Sequence, residues 1–237
     1  MRPEPQNRLL ASLEPDARAR VERHLTRVRL PAKAVLYHAQ QRIDAVYFPE
    51  DVVIVQLALD AEGSSIEACS VGNEGAAWIS AGTSTPSMPC QTLVATDGHA
   101  LKMHVKDLDT ELPENPPLQS RLTTYSHAIF VASIRATACA GLHDASQRCA
   151  RWILQTLDRV TSDHFDFTHD FLASLIGTRR ATISIAMAAF ERAGYIETTT
   201  RGLIRVTDRP GLASASCECY QIIREYYEKA DLRPRRR

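Results

Sequence analysis

The chain has 237 residues, 44% of them hydrophobic, with 28 basic and 28 acidic side chains that cancel at pH 7. That length suits two domains or one large one. No apolar run approaches the ~20 residues of a membrane span, and the opening MRPEPQNRLL lacks the apolar core of a secretory signal, so a cytoplasmic protein without a membrane partner is expected. The zero net charge hides an asymmetry. Residues 142–237 carry 15 Lys+Arg against 12 Asp+Glu (15 − 12 = +3), and residues 1–141 carry 13 against 16 (13 − 16 = −3). Gripping phosphates needs only local positive charge, so the neutral total does not exclude nucleic acid.

Residues 7–28 read as two short helical segments. Leu9 and Leu10 belong to the first; Pro15 opens the second, with Ala17, Val21 and Leu25 at steps of four. From Arg29 to about His104 the texture changes to short β-rich runs at 35–37, 45–48, 52–59, 66–71, 91–95 and 100–105, separated by turn residues. Many short strands at regular spacing predict a barrel or double-sheet roll.

Pro116 and Pro117 open a long helix. Leu118, Leu122, Tyr125, Ile129, Ala132, Ala136 and Cys139 follow at alternating steps of four and three, the spacing of a coiled-coil seam. The favoured reading is a dimer interface with a second copy; the alternative is a helix lying on its own barrel. Gly141 is the expected hinge. Residues 143–161 then predict a helix with Cys149, Trp152, Ile153, Leu157 and Val160 on one face.

The segment 168–194 reads as two helices with a tight turn. Thr168 suits an N-cap, Phe171, Leu172, Leu175 and Ile176 form an apolar face, and Gly177 ends the helix. In the second helix Ile183, Met187 and Phe190 face inward, while Thr178, Arg179, Arg180, Thr182 and Ser184 form a polar, basic opening turn. A helix presented in this way suits the DNA major groove. Arg179 and Arg180 are the expected base readers, because a guanidinium can bond guanine O6 and N7 together. Thr168, Thr182, Ser184 and Arg201 are the expected phosphate contacts. The β-branched runs 195–200 and 203–206, on either side of Arg201-Gly202, predict a hairpin, or wing. A helix is expected over about 212–229, followed by a frayed basic end.

The run from Thr168 through Pro210-Gly211-Leu212 resembles the winged helix-turn-helix of Crp/Fnr-type transcription regulators. The matches are the Thr168 cap, Gly177 in the turn, Arg180 and Thr182 on the second helix, and the hairpin. The tail Cys217-Glu218-Cys219-Tyr220 resembles one branch of that family. In its cyclic-AMP-responsive members a Glu follows the arginine and a second Arg comes later. Here Ala181 and Ile185 stand at those places, so the operator of that subgroup is not implied.

The resemblance implies an α+β chain in three parts: a jelly-roll, cyclic-nucleotide-binding-like domain at 1–112, a dimerisation helix at 113–141, and a winged helix-turn-helix domain at 142–237. It also implies double-stranded DNA, a second copy of the chain and RNA polymerase as partners. Nucleotide-binding members use a Gly-Glu pair and an Arg-Ser or Arg-Thr pair on the ligand. The candidate equivalents here are Glu74-Gly75 and Cys90-Gln91, and residues 43–101 contain no Lys or Arg to neutralise a phosphate. A buried phosphate without a cation is costly, so control by cyclic AMP in the usual way is not expected.

Of the six cysteines only Cys217-x-Cys219 is closely spaced, and two thiols alone cannot complete a zinc or iron–sulfur site. No metal and no cofactor are expected. Cys139 and Cys149 read as small buried hydrophobes. The eight histidines form no HExxH, and neither a Gly-rich phosphate loop nor a GxSxG elbow occurs, so no catalytic residues are expected. The sequence therefore predicts a homodimeric DNA-binding regulator for a near-palindromic site. The alternative is a ligand- or thiol-responsive sensor whose roll binds a small molecule and switches DNA binding.

Overall fold

The computed structural model describes residues 6–77, 87–162, 164–199 and 203–232. Asn7 starts it with both ends of its buried side-chain amide in use. Its Oδ1 accepts from Leu10 N–H to cap α1 (Arg8–Ala11), and its Nδ2 donates to the carbonyls of Pro49 and Gly75, each at 2.8 Å. Pro15 occupies the first turn of α2 (Pro15–Glu22), where a missing N–H costs nothing. This helix stops before Leu25. Val28 instead lies in β1 (Thr26–Leu30), paired with Ala100, because β1 fills an edge of the sheet that the helical reading overlooked.

The remaining strands of the roll are β2 (Val35–Tyr37), β3 (Ala45–Pro49), β4 (Ile54–Leu59), β5 (Ser65–Val71), β6 (Cys90–Val94) and β7 (Gly98–His104). They form two antiparallel sheets, ordered β1-β7-β3 and β2-β6-β4-β5. Side chains alternate across a strand, and on β4 both faces are covered. Val52 and Ile54 join the roll core with Val71 and Val94, while Val53, Val55 and Leu57 join a second core with Leu93, Trp152 and Leu172. The roll and the C-terminal part thus share one sheet as a common wall.

A helix not expected from the sequence, α3 (Val105–Glu114), follows β7 and buries Leu108. Asn115 then caps α4 (Pro116–Leu142), accepting from Leu118 N–H, and ties it to the roll by donating to Ala17 C=O at 3.0 Å. At about 1.5 Å per residue, α4 is about 40 Å long. It continues through Gly141. The chain turns at His143, whose backbone is extended, so the break lies two residues beyond the expected hinge.

Asp144 and Gln147 close a capping box on α5 (Ala145–Leu157). The helix buries Trp152, whose ring meets Phe167 edge-on at 4.7 Å, a geometry that adds about 0.5–1.5 kcal/mol to burial. Strand β8 (His164–Asp166) leads into α6 (His169–Ile176) and α7 (Arg180–Arg192). β9 (Ile196–Thr198) and β10 (Leu203–Val206) are antiparallel, and the small sheet runs β8-β10-β9. The expected tail helix is two helices, α8 (Arg209–Ser214) and α9 (Cys219–Lys229). At their junction Asp158 accepts from Arg209 and from Tyr220, which ties the end of α5 to both. Ile223 and Tyr227 of α9 return to the roll core.

Candidate nucleic-acid interface

Thr168 caps α6, its hydroxyl accepting from Phe171 N–H at 3.2 Å. Gly177 ends the helix in the left-handed region (φ +68), and a Cβ there would come within 2.8 Å of Ile66 Cδ1 on β5. Conformation and packing both call for glycine. Arg179 sits at the N-cap of α7 in an extended conformation, with no side-chain cap. The first-turn amides of α7 and its dipole therefore favour an anion at this end.

Ile183, Ala186, Met187 and Phe190 bury one face of α7. The opposite face presents Arg180, Ala181 and Ile185, the last 70% exposed. Arg180 lies 3.6 Å from Asp170, but both side chains are open to water, so the pair contributes at most about 1 kcal/mol and yields readily to a phosphate or a base. Ser184 is already engaged. Its hydroxyl donates to Arg180 C=O at 3.1 Å and lies 2.9 Å from His169 Nδ1. The His169 contact links α7 to α6.

Thr178, Arg179, Arg180 and Thr182 line one cleft of about 1020 Å³. Its far wall is the β4–β5 hairpin, including Asp60 and Ile66. The hairpin also touches α6 directly, with Ser65 Oγ donating to Ser174 C=O at 3.2 Å. Arg201, expected at the tip of the wing, lies outside the described residues.

The structure corrects the ligand expectation. Glu74 is fully buried, and Arg159 Nη2 stands 2.7 Å from its Oε1, which also accepts from Gly72 N–H. Burial alone would lower the Arg159 pKa, but the facing Glu74 carboxylate raises it above its ordinary value. Arg159 also donates to Ser70 Oγ at 2.7 Å. Gly75 is pressed by Tyr125, whose ring lies 1.9 Å from where a Cβ would stand. The carboxylate and the glycine expected to meet a ligand are thus committed to the protein itself. Cys90 and Gln91 are half-buried ladder residues of β6, opposite Ala58 and Leu57, and burial raises the Cys90 thiol pKa.

The seam on α4 needs a similar correction. Leu118, Leu122 and Tyr125 are wholly within the roll core, and Ile129 and Ala132 pack against it, so this face is covered by the chain's own barrel. Ala136 is half-buried on the same side. The helix on its own roll, the less favoured reading of the spacing, describes these residues. The free apolar side chains of α4 lie elsewhere: Phe130 is 62% exposed and Ile134 51%.

One constellation was missed from the sequence. Cys139 and His143 at the end of α4 meet Cys217 and Cys219 around the start of α9, with one ligand atom of each within 4.8 Å of all the others. By sequence the Cys217-x-Cys219 pair is two ligands short of a site, because the spacing of Cys139 also suits an apolar helix face. The step of four from Cys139 to His143 was the available signal.

Residues 147–215 match the family model of the Crp-like helix-turn-helix domain. A search of curated proteins finds no match. Solved structures share the fold over most of the chain. FixK2 from Bradyrhizobium japonicum is 14% identical, with a TM-score of 0.68 over 81% of this chain and 98% of that one. A CRP/FNR-family transcriptional regulator from Thermus thermophilus is 21% identical, with a TM-score of 0.61 over 81% and 98%. CLP from Xanthomonas campestris, a c-di-GMP-responsive global regulator, is 12% identical, with a TM-score of 0.61 over 81% and 99%. Residues 147–215 thus carry a Crp-like helix-turn-helix domain, and the chain as a whole shares the fold of Crp/Fnr-family regulators.

Proposed function

We propose that the protein is a cytoplasmic homodimer that binds a near-palindromic DNA site and acts on RNA polymerase without cyclic AMP as its effector. The observation that carries the DNA reading is the free end of α7, where Arg179, Arg180, Ala181 and Ile185 are exposed together above a buried apolar face. Arginine suits guanine, and an exposed Ala or Ile suits the thymine methyl group. Thr168, Thr178 and Thr182 then serve the phosphates, and Arg201 joins them on the sequence reading alone.

The dimer uses the outer face of α4. Thr123, His127, Phe130, Ile134, Thr137 and Gly141 recur there at alternating steps of four and three, all exposed, which is the spacing of a two-helix seam. A two-fold dimer on this seam sets half-sites about one DNA turn (~34 Å) apart. The reading against cyclic AMP rests on the Glu74–Arg159 pair, which supplies internally the charge partner that a bound nucleotide would bring.

Selection from random DNA with the purified protein and no added effector tests the proposal. A two-fold symmetric consensus is expected; an intact dimer that enriches no sequence would refute it.

One observation favours a second reading, in which an effector or thiol change frees the recognition helix. The β4–β5 hairpin stands opposite Arg179 and Arg180 and holds α6 through Ser65 and Ile66. In that case selection succeeds only once the hairpin contact is weakened.

A further inference from the structure

We propose that Cys139, His143, Cys217 and Cys219 bind a single tetrahedral Zn²⁺ that fastens the C-terminal helix to the end of α4. The three thiols are buried, with at most 3% exposure, and form a cluster of their own apart from both apolar cores. Cys139 Sγ lies 3.4 Å from Cys217 Sγ, and Cys219 Sγ lies 3.8 Å from His143 Nδ1. Four ligands about 2.3 Å from one zinc ion sit about 3.8 Å apart at the corners of a tetrahedron, so these separations already suit one ion. Three thiolates and an imidazole are a closed, structural zinc set. The ligands stand too close together to enclose an iron–sulfur cluster, whose cysteines are spread around several irons.

The outer shell points the same way. Glu218, between two of the cysteines, has Oε2 3.1 Å from His143 Nε2. A carboxylate accepting from Nε2–H leaves Nδ1 as the lone-pair atom, and Nδ1 is the nitrogen that faces Cys219. Zn²⁺ displaces the three thiol protons, so the loaded centre carries one net negative charge. Arg135 meets that charge, with Nη2 3.5 Å from Cys219 Sγ and 3.8 Å from Glu218.

Two features of the fold bring the ligands to the site. The tail helix breaks between Ser214 and Cys219, which turns Cys217 inward beside Cys139. The chain also leaves the helical conformation at His143, one step of four after Cys139, which brings the imidazole to the same point. Cys139 and Cys217 are 78 residues apart. The ion closes that loop and fixes the junction between α4 and the C-terminal part, whether or not the protein binds DNA as proposed above.

The test uses the reduced full-length protein, purified without chelator. Elemental analysis should find one zinc per chain that survives dialysis against EDTA. Co²⁺ added after zinc is stripped under denaturation and the protein refolded should give the intense ligand-field bands of a tetrahedral ion and a thiolate-to-cobalt charge-transfer band, both erased by Zn²⁺. Cys217→Ser and Cys219→Ser should each weaken the charge-transfer band, and Cys149→Ala, in the other core, should leave it unchanged. Three results would overturn the proposal: no retained zinc with no tetrahedral cobalt spectrum in the wild-type chain, a wild-type spectrum reproduced in full by Cys217→Ser, or a Cys139–Cys217 disulfide as the resting form. The wild-type cobalt spectrum decides the matter even if a variant fails to fold.

Discussion

Arg159, just beyond α5, and Glu74, in the turn after β5, form a buried ion pair at 2.7 Å that joins the C-terminal part to the roll. Removing one partner of a buried pair leaves an uncompensated charge, at a cost of about 3–5 kcal/mol. Arg159→Met should therefore lower stability by that order in urea denaturation. Replacing both, as Glu74→Leu with Arg159→Met, should recover most of the loss, because a well-packed apolar substitute avoids the desolvation. A double variant no more stable than Arg159→Met would mean that Arg159 matters through its bond to Ser70 instead.

Arg180 and Ile185 should affect DNA selection differently. Arg180→Ala is expected to weaken the selected site by about 1–3 kcal/mol and relax one base position, with the fold unchanged. Ile185→Asn should shift the preference away from thymine at a neighbouring position with a smaller loss. Selected sequences identical to wild type in both variants would remove these residues from base reading.

The two faces of α4 separate dimerisation from folding. Glu substituted together at Phe130 and Ile134 should give a folded monomer in sedimentation, because both side chains are exposed in the single chain, with a melting temperature that no longer depends on protein concentration. Ile129→Glu should instead destabilise the fold, since Ile129 packs on the roll core. A dimer that survives the first substitution places the interface elsewhere.

Ile66 of the hairpin sits so close to Gly177 that a Cβ there would come within 2.8 Å of its Cδ1. Ile66→Ser should loosen that contact. If the hairpin restrains α7, the variant binds DNA more tightly than wild type in a gel-shift titration. Equal affinity would leave the hairpin without a gating role.

Acid should weaken the attachment of α2 to α3. Glu111 accepts from Arg20 at 3.2 Å and faces His24 at 3.5 Å. Burial pushes its carboxyl pKa up, but the Arg20 hydrogen bond and charge outweigh that and hold it below the ordinary range. A carboxylate with a depressed folded pKa stabilises fully above its unfolded value of about 4.3, and the contribution fades as pH falls through the folded value. Glu111→Gln should thus be less stable than wild type at pH 6, with the gap closing below about pH 4. A gap that persists at pH 3 would point to lost packing.

The sequence is most legible where one local rule decides the outcome. Thr168, Gly177 and the apolar face of α7 followed from cap chemistry and helical spacing alone. The seam misled because its spacing specifies that a helix has an apolar face without naming what covers it; Leu118, Leu122 and Tyr125 satisfy that rule against the roll as well as against a partner. Glu74–Arg159 and the Cys139–Cys217 meeting were out of reach for another reason. Their partners come from segments far apart in the chain, and only the packing of the C-terminal part onto the roll and onto α4 brings them together.

The common wall at β4 also constrains how such a protein can be recombined. Val53, Val55, Leu57 and Leu93 belong physically to the core around Trp152, although they lie in the first half of the chain. A chimera that exchanges only the C-terminal third for that of a relative would set a foreign helix against this stripe. It would fold well only if the outer faces of two strands travelled with the graft.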